Sequence, residues 1–211
     1  MSGGANPHGE DLLRRLAGSA DVCMHSFDLV REAALLVELG AATQREASFL
    51  DDRVLKPGAK AAWVELGRAL QSAYDIGFQH PLHFIFHTGH VGSTLVSRLL
   101  DETRTVFALR EPSALRQLAE AIDVVGRVDS LVNERGAGIL LNGLLRLWSR
   151  GDAATKAVVL KATSSAGRIA PALLAQQATA RAIYLNVRAE PYIATLLAGR
   201  NSKVDLRGHG P

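Results

Sequence analysis

The segment His87-Thr88-Gly89-His90-Val91-Gly92-Ser93-Thr94 gathers glycines, hydroxyls and imidazoles between an apolar run, LHFIFH (82–87), and the amphipathic STLVSRLL (93–100). A strand that turns at glycines and opens directly into a helix aims unpaired amide hydrogens, and the positive end of the helix dipole, at one spot. Gly89 and Gly92 let the backbone curl around a phosphate, and Ser93 and Thr94 add hydroxyl donors. Hydrogen bonds to a charged group contribute about 1.5–3 kcal/mol each, so four or five would hold a nucleotide phosphate. The plainer reading is a serine-capped helix after a glycine turn. The order strand, turn, helix favours the cradle. A nucleoside-triphosphatase loop would place Lys before the hydroxyls, but Ser93 follows Gly92 directly. Nor does any apolar run end in an Asp suited to Mg²⁺, which argues against an ordinary ATPase or GTPase.

These residues resemble the sulfotransferases that use 3′-phosphoadenosine-5′-phosphosulfate. Their phosphosulfate loop follows the first strand and reads basic-x-Gly-[Ser/Thr]-Thr-x-[Leu/Trp]; HVGSTL (90–95) is similar except at the basic position, where His90 stands. LREP (109–112) resembles the Glu-Pro after the second strand in bacterial members. LKATSSAGRIAPALLAQQATARAIYLNVRAEPYIATLLAG (160–199) resembles a stretched form of the Lys-Thr strand end and Arg-x-Pro motif. The resemblance covers about residues 82–199 and carries three differences. His90 replaces Lys or Arg, Arg188 and Pro191 are three apart where the family has two, and Leu197 stands where the family has the 3′-phosphate Ser.

What the resemblance implies is sulfuryl transfer to an acceptor hydroxyl or amine, without a metal. Gly89, His90, Val91, Gly92, Ser93 and Thr94 would bind the 5′ end of the cosubstrate, with Arg188 and the nearby hydroxyl of Thr195 at its 3′-phosphate. Such a transfer asks for in-line positioning and neutralisation of the leaving oxygen, and a base removes the acceptor's proton. Glu111, just past a strand end, is the expected base or else a surface residue at the start of a helix. Lys161 could supply the charge that a neutral His90 lacks, or snorkel from its strand. Arg188 has the two-donor geometry for phosphate, or serves an ion pair. The histidines at 80, 83, 87 and 90 suggest a metal. On a strand, however, His83 and His87 lie about 13 Å apart, too far for one Zn²⁺ with nitrogens at roughly 2.1 Å. No Gly-x-Ser-x-Gly elbow is present.

The elements that must position these groups alternate. Strands are expected at 82–87, 105–109, 157–162 and 182–187. Helices are expected from Ser93 (with Leu95, Val96, Leu99 and Leu100 on one face), at 113–122, around Leu141–Trp148, from Gly167 and after Pro191. This pattern predicts an α/β domain at 78–211, a three-layer, P-loop-type parallel sheet with helices on both faces. Residues 1–77 read as a helical N-terminal lobe. Leu29, Ala33, Leu36 and Val37 fall at helical spacing, as do Trp63, Leu66, Leu70 and Tyr74, with Lys56-Pro57-Gly58 between them.

Composition sets the outer bounds. A chain of 211 residues with 47% hydrophobic and 21% charged residues is globular, and at this length about 70% of the unfolded surface can be buried. A net charge of +3 suits an anionic ligand and does not announce nucleic-acid binding. No apolar run is long enough to span a membrane, the N-terminus does not read as a signal peptide, and Cys23 has no internal partner. The cytoplasm is the expected compartment. The closing RGHGP is turn material, from which a fragment or a missing C-terminal lobe is expected. Two other readings stay open: a small-molecule kinase with Glu111 as base or magnesium anchor, and a catalytically silent module that binds a nucleotide or a partner. The acceptor and the oligomeric state are not legible.

Overall fold

The computed structural model describes residues 7–198. The closing RGHGP and the extreme N-terminus lie outside them. Helix α1 (Pro7–Gly18) is followed by β1 (Val22–Asp28) and β2 (Ala33–Glu38), then α2 (Ala41–Glu46), a 3₁₀ turn (Asp52–Val54), β3 (Ala61–Glu65) and α3 (Leu66–Ile76). The three strands form an antiparallel sheet in the order β1-β2-β3. The expectation of a purely helical N-terminal lobe is therefore corrected.

The cause is local. Asp28 accepts hydrogen bonds from the amides of Val30 and Arg31, both at 2.9 Å, and Glu32 takes a left-handed φ of 49°. This Asx turn reverses the chain where the spacing suggested a continuing helix. Beyond it, Ala34 and Leu36 point inward from alternate positions of β2, and Leu35 pairs with Trp63 on β3. Helix α3 accordingly begins at Leu66, and Trp63 belongs to the sheet.

The second half matches the alternation. Strands β4 (Leu82–His87), β5 (Val106–Arg110), β6 (Ala157–Lys161) and β7 (Ala182–Leu185) form an all-parallel sheet in the order β5-β6-β4-β7. Around it lie α4 (Ser93–Asp101), α5 (Ser113–Asp123), α6 (Glu134–Trp148), a 3₁₀ helix (Ser164–Ile169), α7 (Ala170–Leu174) and α8 (Ala189–Ala198). The chain is thus an α/β protein with a four-stranded parallel sheet flanked by helices. Its apolar core runs unbroken from Leu12 and Leu16 through Leu36 and Ala69 to Phe84, Leu115, Leu144 and Leu160. Among the described residues no helix is long and apolar enough to cross a membrane.

Helix α4 inverts the expected face. Ser93, Ser97 and Asp101 are buried, whereas Leu95 and Leu99 are 62% and 61% exposed. Asp101 receives the guanidinium of Arg45, lies 3.5 Å from Arg110 and accepts the amide of Ala108 at 3.2 Å. Arg45 also pairs with Asp152 at 2.9 Å and lies over the ring of Phe107. A polar network at the helix's far end anchors it.

Candidate functional site

The carboxyl ends of β4, β5 and β6 come together, because Ile85 of β4 and Arg110 of β5 both pair with Lys161 of β6. The segments that follow β4 and β5 carry chemistry. After β4 comes the loop that opens α4; after β5 comes Glu111, whose amide donates to the carbonyl of Lys161 at 2.8 Å. Crevices at such strand ends are where open parallel sheets bind ligands. Here the crevice is a cavity of about 700 Å³.

The loop is built on left-handed backbone. Gly89, His90 and Gly92 have φ of 94°, 49° and 79°, which glycine adopts freely and His90 does not. Gly92 is the residue preceding α4, and no side chain caps that helix, so its first amides stay available. All of Gly89, His90, Val91, Gly92, Ser93 and Thr94 line the cavity. Ser93 is buried and His90 is exposed. Tyr192 of α8 leans over the loop, donating its hydroxyl to the carbonyl of Thr88 at 3.1 Å.

Opposite the loop, Lys161 and Glu111 form a tight ion pair at the cavity wall. Lys161 is almost wholly buried, and its ammonium also lies 5.4 Å from the centre of the Phe49 ring. Burial pushes the carboxyl of Glu111 up, but neighbouring His87 and Lys161 outweigh it, and the group sits below its ordinary 4.5. It is a carboxylate at neutral pH. For Lys161 burial dominates and lowers the ammonium's pKa against the opposing pull of Glu111. The backbone of Glu111 is itself left-handed, with φ 51°. Two non-glycine residues in this region at one crevice, His90 and Glu111, mark it as a place where backbone strain is tolerated.

His87 joins the two walls. Its Nδ1 accepts the amide hydrogen of Gly89 at 3.0 Å, so in the neutral ring the proton sits on Nε2, which lies 3.6 Å from Glu111. That Nε2 and the hydroxyl of Thr88 are buried with no hydrogen-bond partner among the described residues. Orphaned polar atoms of this kind call for a ligand or ordered water. In the sequence His87 stands both at the head of the loop and among the histidines that suggest a metal. Among the described residues no group of three or more His, Cys, Asp or Glu could hold a metal ion.

Arg188 and Thr195 are not brought to this cavity. Both are exposed, and the Thr195 hydroxyl donates to the carbonyl of Pro191 at 2.8 Å. The cavity instead recruits residues that carried no local signal. Phe49 and Arg53 come from the connection before β3, with the Arg53 guanidinium 3.9 Å above the Phe49 ring. Arg116 projects from α5. Thr163, Ser164 and Ser165 follow β6, and the run of hydroxyls after Lys161 was the one sign of them in the sequence.

The site thus offers uncapped amides and hydroxyls, guanidinium and ammonium charge, and two acidic side chains, Glu111 in its ion pair and Glu120. That set can hold an anion and accept a proton beside it. No protein-family model, no curated protein and no solved structure matches the chain.

Proposed function

We propose that the chain is a P-loop-type, three-layer α/β sulfotransferase. It would pass a sulfuryl group from 3′-phosphoadenosine-5′-phosphosulfate to an acceptor hydroxyl or amine. The observation that carries this reading is the loop 89–94: three left-handed residues and an uncapped helix start, facing a cavity that also holds Lys161 and Glu111. Oxyanions of the cosubstrate settle on the amides of Gly92, Ser93 and Thr94, where the helix dipole favours negative charge. The buried hydroxyl of Thr88 and the hydroxyls after β6 offer further donors. Glu111, ionised, takes the acceptor's proton as the S–O bond forms and the bond to the leaving phosphate breaks. Lys161 then loses its carboxylate partner's charge and is left to balance the leaving oxygen. Arg188, exposed at the entry to α8, would meet the 3′-phosphate from outside the cavity wall.

The kinase reading is weaker because the carboxylate it would give to Mg²⁺ is held by Lys161. The silent-module reading draws on His90 alone.

Thermal melting separates the three. Adenosine 3′,5′-bisphosphate at one hundred times its dissociation constant should add about 2.7 kcal/mol of stability without any metal. Stabilisation by Mg-ATP alone supports a kinase. No response to either leaves a protein that does not use this loop for nucleotides.

A further inference from the structure

Beside the site, with Glu120 lining both its cavity and the larger of them, two clefts run into one another across the β1–β2 turn, β3 and the connection between α5 and α6. One holds about 520 Å³ and the other about 300 Å³, and Leu29, Leu131 and Val132 form the floor they share. Large apolar side chains stand open around them: Val30 is 75% exposed, Leu131 63% and Trp63 52%. Single exposed apolar residues are ordinary, but a joined patch of them marks an interaction surface.

The rim is entirely acidic. Asp28, Glu120 and Asp129 line the larger cleft, Glu32 and Glu65 the smaller, and no Lys, Arg or His lines either. Two of these carboxylates have arginine partners, Asp28 with Arg31 at 3.5 Å and Asp129 with Arg127 at 3.2 Å. Glu65 is within electrostatic reach of Arg68, whereas Glu32 and Glu120 have no cation within ion-pair distance among the described residues. This negative rim sits on a chain whose net charge is +3.

We infer that the joined cleft docks an amphipathic segment of a partner protein, with a row of large apolar side chains flanked by Lys or Arg. The apolar floor takes the row, as grooves take helices at i, i+3, i+4 and i+7, and the carboxylates set the charge of its edges. An anionic membrane surface would be repelled by the same rim.

The protein carries its own reporter. Of its two tryptophans, Trp148 is buried and Trp63 lies in the cleft. The probes are an 18-residue amphipathic peptide of Leu and Lys, its counterpart with Glu for Lys, a Ser/Lys version without the apolar row, and zwitterionic phospholipid vesicles. The Leu/Lys peptide should move the emission of Trp63 to the blue and saturate at micromolar concentration. Glu32→Lys with Asp129→Lys, neither residue lining the cavity of the candidate site, should weaken it at least tenfold. Trp63→Phe should erase the emission change while the heat of binding persists. Equal binding of the Leu/Glu or Ser/Lys peptide, the same shift with vesicles, or no response of Trp63 to the Leu/Lys peptide would overturn the inference. If the double variant does not fold, the peptide series on the unaltered protein decides the matter alone.

Discussion

Helices α4 and α5 leave neighbouring regions of one sheet edge and are held by opposite means. α5 buries Ala114, Leu115, Leu118 and Ala119, an apolar stripe of the usual kind. α4 turns Ser93, Ser97 and Asp101 inward and leaves Leu95 and Leu99 outside. The small serine face lets α4 lie close to the sheet, and Asp101 ties its end to Arg45 and Arg110. A helix secured at its carboxyl end by charge has an amino end whose amides are not claimed by packing. That is the arrangement an anion site needs, whereas α5 serves as framework and delivers Glu111 from its approach.

The difference can be broken at either helix. On the side of Glu111, Glu111→Gln should lower turnover by about 10²–10⁴-fold, the range for loss of a general base, with binding of adenosine 3′,5′-bisphosphate preserved. Unchanged turnover would remove Glu111 from the chemistry. The same variant should blunt acid sensitivity. The carboxyl of Glu111 is held below its ordinary 4.5 in the folded protein. Its contribution is therefore present above the unfolded value and lost as pH falls through the folded one. Stability measured against pH in the two proteins should converge as the medium becomes acidic.

On the side of α4, Asp101→Ala should cost about 3–5 kcal/mol in urea unfolding, because it strands the buried charges of Arg45 and Arg110. A cost below 1 kcal/mol would mean that charge does not anchor this helix. Leu118→Ala, at a fully buried position of α5, should cost about 2–5 kcal/mol. Leu99→Ala on exposed α4 should stay within about 0.5 kcal/mol. Equal costs for the two leucines would erase the contrast.

Much of the parallel sheet was legible because buried strands write continuous apolar runs. LHFIFH (82–87) is β4 to the residue, and TVFAL and AVVLKA lie within one residue of β5 and β6. The loop, Glu111 and Lys161 follow directly from those strand ends, which is why they meet in one cavity as expected. The N-terminal sheet was hidden because Leu29, Ala33, Leu36 and Val37 satisfy a helical period as readily as a hairpin whose reversal depends on Asp28. The inward face of α4 was hidden because its preference is decided by Arg45, which is 56 residues away from Asp101. Phe49, Arg53 and Arg116 reach the cavity by tertiary packing, which no local pattern records.

The account rests on the loop amides, and they can be watched one by one. In an amide ¹H–¹⁵N correlation spectrum, adenosine 3′,5′-bisphosphate added without metal should shift the signals of Gly92, Ser93 and Thr94 more than any others. Silence at those three amides under saturating bisphosphate, or shifts confined to another face of the protein, would contradict the proposal.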